Sequence, residues 1–279
     1  MQRFLPWIIA GLIILPSCGP ALTAPQKTDP WAIPARKENF HIFLLMGQSN
    51  MAGHAPLEAG DEKPVPHVVA IPTKSKADFA WKPAAHPLHN RLPATDRFGL
   101  GLPFAIEYLK SNPNVTVGLI PVAWGGEQID HLNKGSPTYQ DAIAKMHRAA
   151  QQGILKGVLW HQGESDTVNK GFADSYAKKL DQLVADLRHD LDEPKLPFIA
   201  GDLAPFYGTS PEHNAPQRVI QINLVRQALR NLPHRVPQTA FVESAGLKSE
   251  DAHMVHFDRA SYIELGKRYA QAFAGLEVP

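Results

Sequence analysis

Apolar residues along this chain fall into two patterns. Short unbroken runs occur at Phe40 to Met46, Val115 to Val122, Gly157 to Trp160, Pro197 to Ala200 and Thr239 to Val242, each bounded by turn residues or polar clusters. Continuous runs of this length predict strands buried on both faces, as in a parallel sheet. Elsewhere apolar residues recur at helical spacing. Phe172, Tyr176, Leu180, Leu183 and Leu187 share one face, and so do Val219, Ile222, Val225 and Leu229. Tyr262, Leu265, Tyr269 and Phe273 follow a helix cap at Asp258, and residues 137–152 predict a fourth helix. Strands alternating with helices predict an α/β fold, with a central parallel sheet of about five strands covered on both faces. Residues 54–100 hold many Pro and His without a period and read as a long irregular surface region, where binding residues often sit. No internal repeat is present.

Composition narrows the picture. A chain of 279 residues with 44% hydrophobic content can bury one substantial core. The net charge is +1, and no basic run of five or more residues occurs, which argues against nucleic acid and anionic lipid as partners. A neutral substrate fits this balance better than a highly charged one. Arg3 followed by the apolar stretch Phe4 to Leu15 reads as an export signal, because it falls short of the about 20 residues a spanning helix needs. Cys18, the single cysteine, follows at once in Leu15-Pro16-Ser17-Cys18, which resembles a bacterial lipoprotein box. Residues 1–18 are then a lipoprotein-type signal, 19–38 a Pro-, Ala- and Lys-rich tether and 39–279 the folded domain. Membrane contact would come only through a lipid anchor at Cys18, and the protein would reside in the periplasm or cell envelope. The other reading is an ordinary signal cleaved near Ala21 or Ala24. On either reading the mature chain has no disulfide and no cysteine metal site.

Polar clusters follow several of the predicted strands. The first ends in Gly47-Gln48-Ser49-Asn50, the second in Trp124-Gly125-Gly126-Glu127 and the third in His161-Gln162-Gly163-Glu164-Ser165-Asp166. The fifth leads into 251–258, which contains His253 and His256. Open parallel sheets bind ligands at the carboxyl ends of their strands, so these clusters converge on one edge. A serine at a sharp strand-to-helix turn is a natural nucleophile, given an imidazole to take its proton and donors aimed at the oxyanion. The backbone N–H groups of Ser49 and Gly126 and the side-chain amide of Gln162 could supply three donors. The motif is not Gly-x-Ser-x-Gly, so the α/β-hydrolase elbow is not implied.

Gly47-Gln48-Ser49-Asn50-Met51-Ala52-Gly53 resembles the first signature block of the sialate O-acetylesterase and acetylxylan esterase group, carbohydrate esterase family 6, in the SGNH hydrolase superfamily. Trp124-Gly125-Gly126, His161 to Asp166 and Val255-His256-Phe257-Asp258 resemble the later blocks, in the same order. The stretch Arg97 to Ala105 is similar to a glycine-rich segment of the group. The resemblance runs from about Phe40 to Ala274. It implies a flavodoxin-like three-layer α/β/α sandwich needing no metal or other cofactor. Ser49 would be the nucleophile, His256 the base, and Gly126 and Gln162 the completion of the oxyanion hole. The implied substrates are acetyl esters on xylan-type or sialic-acid-type carbohydrate.

The sequence departs from that pattern at two places. Where the family has an aspartate three residues before the base, this chain has His253, which orients an imidazole less well than a carboxylate. Glu164 is the favoured substitute and Asp251 the nearer one. His54 stands where arginine is common, which puts its substrate contact in doubt. Plainer readings stand beside these. Ser49 could cap a helix, His256 could be a core histidine, Gly125-Gly126 a simple turn, and Glu164 an acid at a helix start. His253, His256 and Asp251 could together hold a metal. Trp124 and Trp160 read as core rather than as a sugar platform. An SGNH enzyme for a lipid ester or thioester is the alternative activity, weakened by the missing Gly-Asp-Ser-Leu opening. A carbohydrate-binding protein with a degenerate site is the non-enzymatic one.

Overall fold

A computed structural model describes residues 29–73, 79–89, 97–250 and 252–277. Its centre is strand β1 (Phe40–Gly47), buried along its length except at His41. The four-residue helix α1 (Ser49–Ala52) follows, then β2 (Val68–Ala70), β3 (Lys82–Pro83), α2 (Gly101–Ser111) and β4 (Thr116–Ala123). The second half alternates α3 (Pro137–Ala150), β5 (Ile154–His161), α4 (Lys170–Asp190), β6 (Phe198–Gly201), α5 (Pro216–Arg230), a short α6 (Leu232–Arg235), β7 (Thr239–Val242) and α7 (Arg259–Glu277).

Among the described residues the sheet has seven strands in the order β3-β2-β4-β1-β5-β6-β7, all parallel except the antiparallel β3. The expected count of about five is thus corrected. The five long runs are all strands, and the two additions come from the region read as irregular. β2 and β3 are three and two residues long, too short to show a period. The unforeseen helix α2 begins Gly-Leu-Pro, composition that ordinarily marks a turn. Helices α2 and α7 pack together over one face, where Phe43 meets Phe104 and Phe273. Helices α3, α4 and α5 cover the other face, with α4 joined to β5 by a Trp160–Tyr176 hydrogen bond of 3.3 Å. Asp258 caps α7 as expected, accepting from Ser261 N at 2.7 Å.

Register places the chemistry. Gly47 lies opposite Ala123 of β4 on one side and His161 of β5 on the other. Three adjacent strands therefore end level, and the segments after them open onto one patch. β1 is also where strand order reverses direction, the crevice that open α/β sheets use for ligands.

Candidate active site

Gly47 has φ +148°, and a Cβ there would lie 2.1 Å from the His161 carbonyl oxygen. Only glycine allows β1 to turn so close to β5. The turn delivers Ser49 as the first residue of α1, with its side chain mostly buried. His256 arrives from the loop before α7, and its Nε2 lies 3.1 Å from Ser49 Oγ. That is within the reach a base needs to take a hydroxyl proton. His54 stacks on the His256 ring, with centroids 3.7 Å apart and planes 6° from parallel.

The His256 loop is held by an asparagine that sequence reasoning gave no role. Asn50 Nδ2 donates to Val255 O at 3.0 Å, and Asn50 Oδ1 accepts from Phe257 N at 3.4 Å and Tyr262 Oη at 2.9 Å. One amide thus grips the backbone on both sides of the imidazole. Its second donated bond runs to Glu164 Oε1 at 2.6 Å. Glu164, named from sequence as the acid that orients His256, is 3% exposed, and its other oxygen is buried without a partner. The carboxylate therefore bonds Asn50 and not His256. Burial raises its pKa, a rise partly opposed by the Asn50 bond.

Asp251 and Cys18 lie outside the described residues. His253 turns outward to Glu212, with Nδ1 3.2 Å from Oε2. Among the described residues, no group of three or more His, Cys, Asp or Glu is placed to hold a metal ion. No described helix is long and apolar enough to cross a membrane.

Gly126 takes φ +75° with open space beside its Cα, and it lines the same pocket as Ser49 and His256. Its loop is anchored from beneath. Gln162 Nε2 donates to Glu127 O at 2.9 Å and to Asp166 Oδ2 at 2.6 Å, while Ile129 N donates to that same Asp166 oxygen at 3.0 Å. Burial pushes the Asp166 carboxyl up to about 6. Gln162 itself is fully buried, and its Oε1 accepts from Tyr176 Oη at 2.9 Å. The side chain expected to face the oxyanion instead ties the Gly126 loop to the end of β5. Trp160 is fully buried, in keeping with its expected core role.

The pocket above Ser49 measures about 440 Å³. Arg97 and Arg218 line it, and neither forms an ion pair among the described residues. Arg218 donates from Nη2 to Tyr207 Oη at 2.6 Å, while its Nε is buried without a partner. Tyr207 in turn donates to Glu164 O at 3.0 Å, which fixes the wall of the pocket to its floor. Neither arginine has a role in the site on sequence grounds, because scattered basic residues carry no spacing signal.

Comparison with known proteins adds the family. A model of carbohydrate esterases described as sialic acid-specific acetylesterase matches residues 39–275. A probable carbohydrate esterase of Arabidopsis thaliana is 31% identical over 250 residues, covering 83% of this chain and 89% of the relative. The crystal structure of that Arabidopsis protein superposes with a TM-score of 0.72 at 28% identity, over 85% of this chain and 98% of the other. The structure of NanS follows at TM-score 0.67 and 18% identity, covering 86% of this chain and 98% of that one. A carbohydrate acetylesterase from Xanthomonas citri gives 0.60 at 21% identity, over 84% of this chain and 56% of its own. The last two likenesses concern the fold.

Proposed function

The chain belongs to the carbohydrate esterases of the sialic acid-specific acetylesterase family, and from that premise we propose that it removes O-acetyl groups through an acyl-enzyme on Ser49, from sugars that carry a carboxylate. It is a carboxylic ester hydrolase by family, and acetylated carbohydrate is its substrate class. The observation that carries the mechanism is the 3.1 Å approach of His256 Nε2 to Ser49 Oγ, on the floor of an open pocket. In acylation Ser49 Oγ bonds to the acetyl carbon as its proton passes to Nε2. The carbonyl π electrons move onto oxygen, beside the N–H groups of Ser49 and Gly126. The intermediate collapses by breaking the bond to the sugar oxygen, which leaves with the proton from His256. Water then repeats the sequence on the acetyl-serine, releasing acetate and restoring the hydroxyl.

The orienting acid in this reading is Asp251. Glu164 is engaged by Asn50 and His253 by Glu212. Glu250, the chain neighbour of Asp251, donates its N–H to His256 O at 2.9 Å. The sugar preference rests on Arg97 and Arg218, two guanidiniums that line the pocket and form no ion pair among the described residues. Although the whole chain is nearly neutral, this local field favours a carboxylate over the uncharged xylan backbone. Export and a lipid anchor at Cys18 complete the proposal.

The test compares wild type with Ser49→Ala and with an Arg97→Ala/Arg218→Ala double variant. The substrates are p-nitrophenyl acetate, O-acetylated sialic acid and acetylated xylo-oligosaccharide. Ser49→Ala is expected to lose about 10⁴–10⁶ in turnover, the scale of triad losses in other serine hydrolases. The double variant is expected to lose kcat/KM on the acidic sugar and keep it on p-nitrophenyl acetate. Activity surviving in Ser49→Ala refutes the acyl-enzyme, and a wild type that prefers the xylan substrate refutes the sugar class.

A further inference from the structure

Gln48 immediately precedes the serine, and no role attaches to it in the sequence reading. It is 2% exposed yet lines the same pocket as Ser49 and Gly126. Its side-chain oxygen is surrounded by donors. Gln162 Nε2 lies 3.2 Å from Gln48 Oε1, Ser165 N 3.3 Å and Gly163 N 3.4 Å. Three N–H groups converging on one end of an amide decide which end is oxygen, because the reversed amide would set NH₂ against all three. The Nε2 end is therefore turned away from β5, and among the described residues it has no acceptor.

Gln162 presents the opposite case. Its Nε2 has two hydrogens and three acceptors, namely Asp166 Oδ2 at 2.6 Å, Glu127 O at 2.9 Å and Gln48 Oε1 at 3.2 Å. It is fully buried, so it has neither a spare hydrogen nor access to substrate.

We propose that Gln48 Nε2 is the side-chain donor to the oxyanion, and that Gln162 supports it from behind. This rests on the acyl-enzyme reading of Ser49. As Ser49 Oγ bonds to the acetyl carbon, the carbonyl oxygen takes the π electron pair. It then accepts from Gln48 Nε2 together with the N–H groups of Ser49 and Gly126, while the serine proton goes to His256. The bonds received at Oε1 hold the amide rigid before charge develops and polarise it, which strengthens the donor at the other end. Gln162 is a positioning residue, and Gln48 touches the reacting oxygen.

Gln48→Glu separates donor from acceptor. A carboxylate oxygen still receives Gly163 N and Ser165 N, but the group facing substrate no longer donates. Removing one oxyanion donor costs about 10²–10³ in turnover elsewhere. Gln48→Glu is expected to lower kcat on p-nitrophenyl acetate by a factor in that range, with KM little changed and the melting curve retained. Gln48→Ala should lose at least as much kcat. A Gln48→Glu enzyme that folds and keeps kcat within tenfold of wild type overturns the proposal. If neither variant folds, a crystal structure of the wild type with a phosphonate on Ser49 decides. Gln48 Nε2 within hydrogen-bond distance of the phosphonyl oxygen supports the proposal, and Gln162 in that place overturns it. Fluorophosphonate labelling of wild-type Ser49 tests the underlying acyl-enzyme separately, and its failure removes both.

Discussion

Exchanging Glu164 for glutamine distinguishes two ways in which an acid can serve a catalytic histidine. If the carboxylate faced the imidazole, its charge would fix the tautomer and stabilise the imidazolium. Losing such a charge costs about 10⁴ in turnover in a well-studied serine protease. Here the carboxylate accepts from Asn50 Nδ2 at 2.6 Å, and Asn50 holds the backbone either side of His256. A glutamine can present its own oxygen to Asn50 and keep the shape. A charge-assisted bond becomes a neutral one, a loss of about 1 kcal/mol. Relief of a buried charge offsets it, since burial raises the Glu164 pKa. Kinetics on p-nitrophenyl acetate should therefore show Glu164→Gln within about tenfold of wild type in kcat, since no charge aimed at the imidazole is removed. Thermal melts should favour the variant increasingly as pH rises. The sign follows from the raised pKa: stability tied to the protonated acid is lost as pH climbs through the folded-state value. Asn50→Ala should be the damaging change. It removes one bond to a carboxylate and up to three neutral bonds, about 4 kcal/mol in all. A displacement of the base by about 1 Å costs on the order of 10² in rate. A loss of 10³ or more in Glu164→Gln with an unchanged melt would refute this reasoning and put the charge back on His256.

Two further outcomes are expected. Asp166, its carboxyl pushed up to about 6 by burial, binds a proton more tightly folded than unfolded. Its contribution of up to about 3 kcal/mol is therefore full below about pH 4 and gone above about pH 6. Melts of wild type against Asp166→Asn across that range should show wild type losing ground as pH rises, and a constant difference would refute the shift. Cys18→Ser should move the protein from the membrane pellet to the soluble fraction if Cys18 carries acyl chains, since stable anchoring needs more than one chain. Wild type that extracts without detergent counts against the anchor.

The five long strands were legible because a strand buried on both faces must be apolar at every position, and β1 is nearly so. β2 and β3 were not, because a period cannot be read from two or three residues. Ser49 and His256 could be named from their motifs, and the fold brings them together across 207 positions. The network behind them was hidden for a physical reason. Sequence shows that Gln48, Asn50, Gln162 and Glu164 are amides and acids near strand ends, but not which polar end faces which neighbour. That is settled by backbone N–H and C=O groups whose positions exist only after folding. Gln162 was therefore expected at the oxyanion and Glu164 beside His256, whereas Gln162 donates to Asp166, Glu127 O and Gln48, and Glu164 accepts from Asn50.

The Asn50 clamp also fixes when the protein can first become active. Its partners lie 114 and 205 positions further along the chain, so the site closes only through contacts of very long sequence separation. Such contacts carry the greatest loop-closure cost and tend to form late. The central strand, the serine turn and the glycine loop can assemble while the segment bearing His256 is still undocked. A refolding chain should recover its circular dichroism before its esterase activity. Hydrolysis is therefore a reporter of the final closure, and a fragment ending before Val255 would lack the base and stay silent.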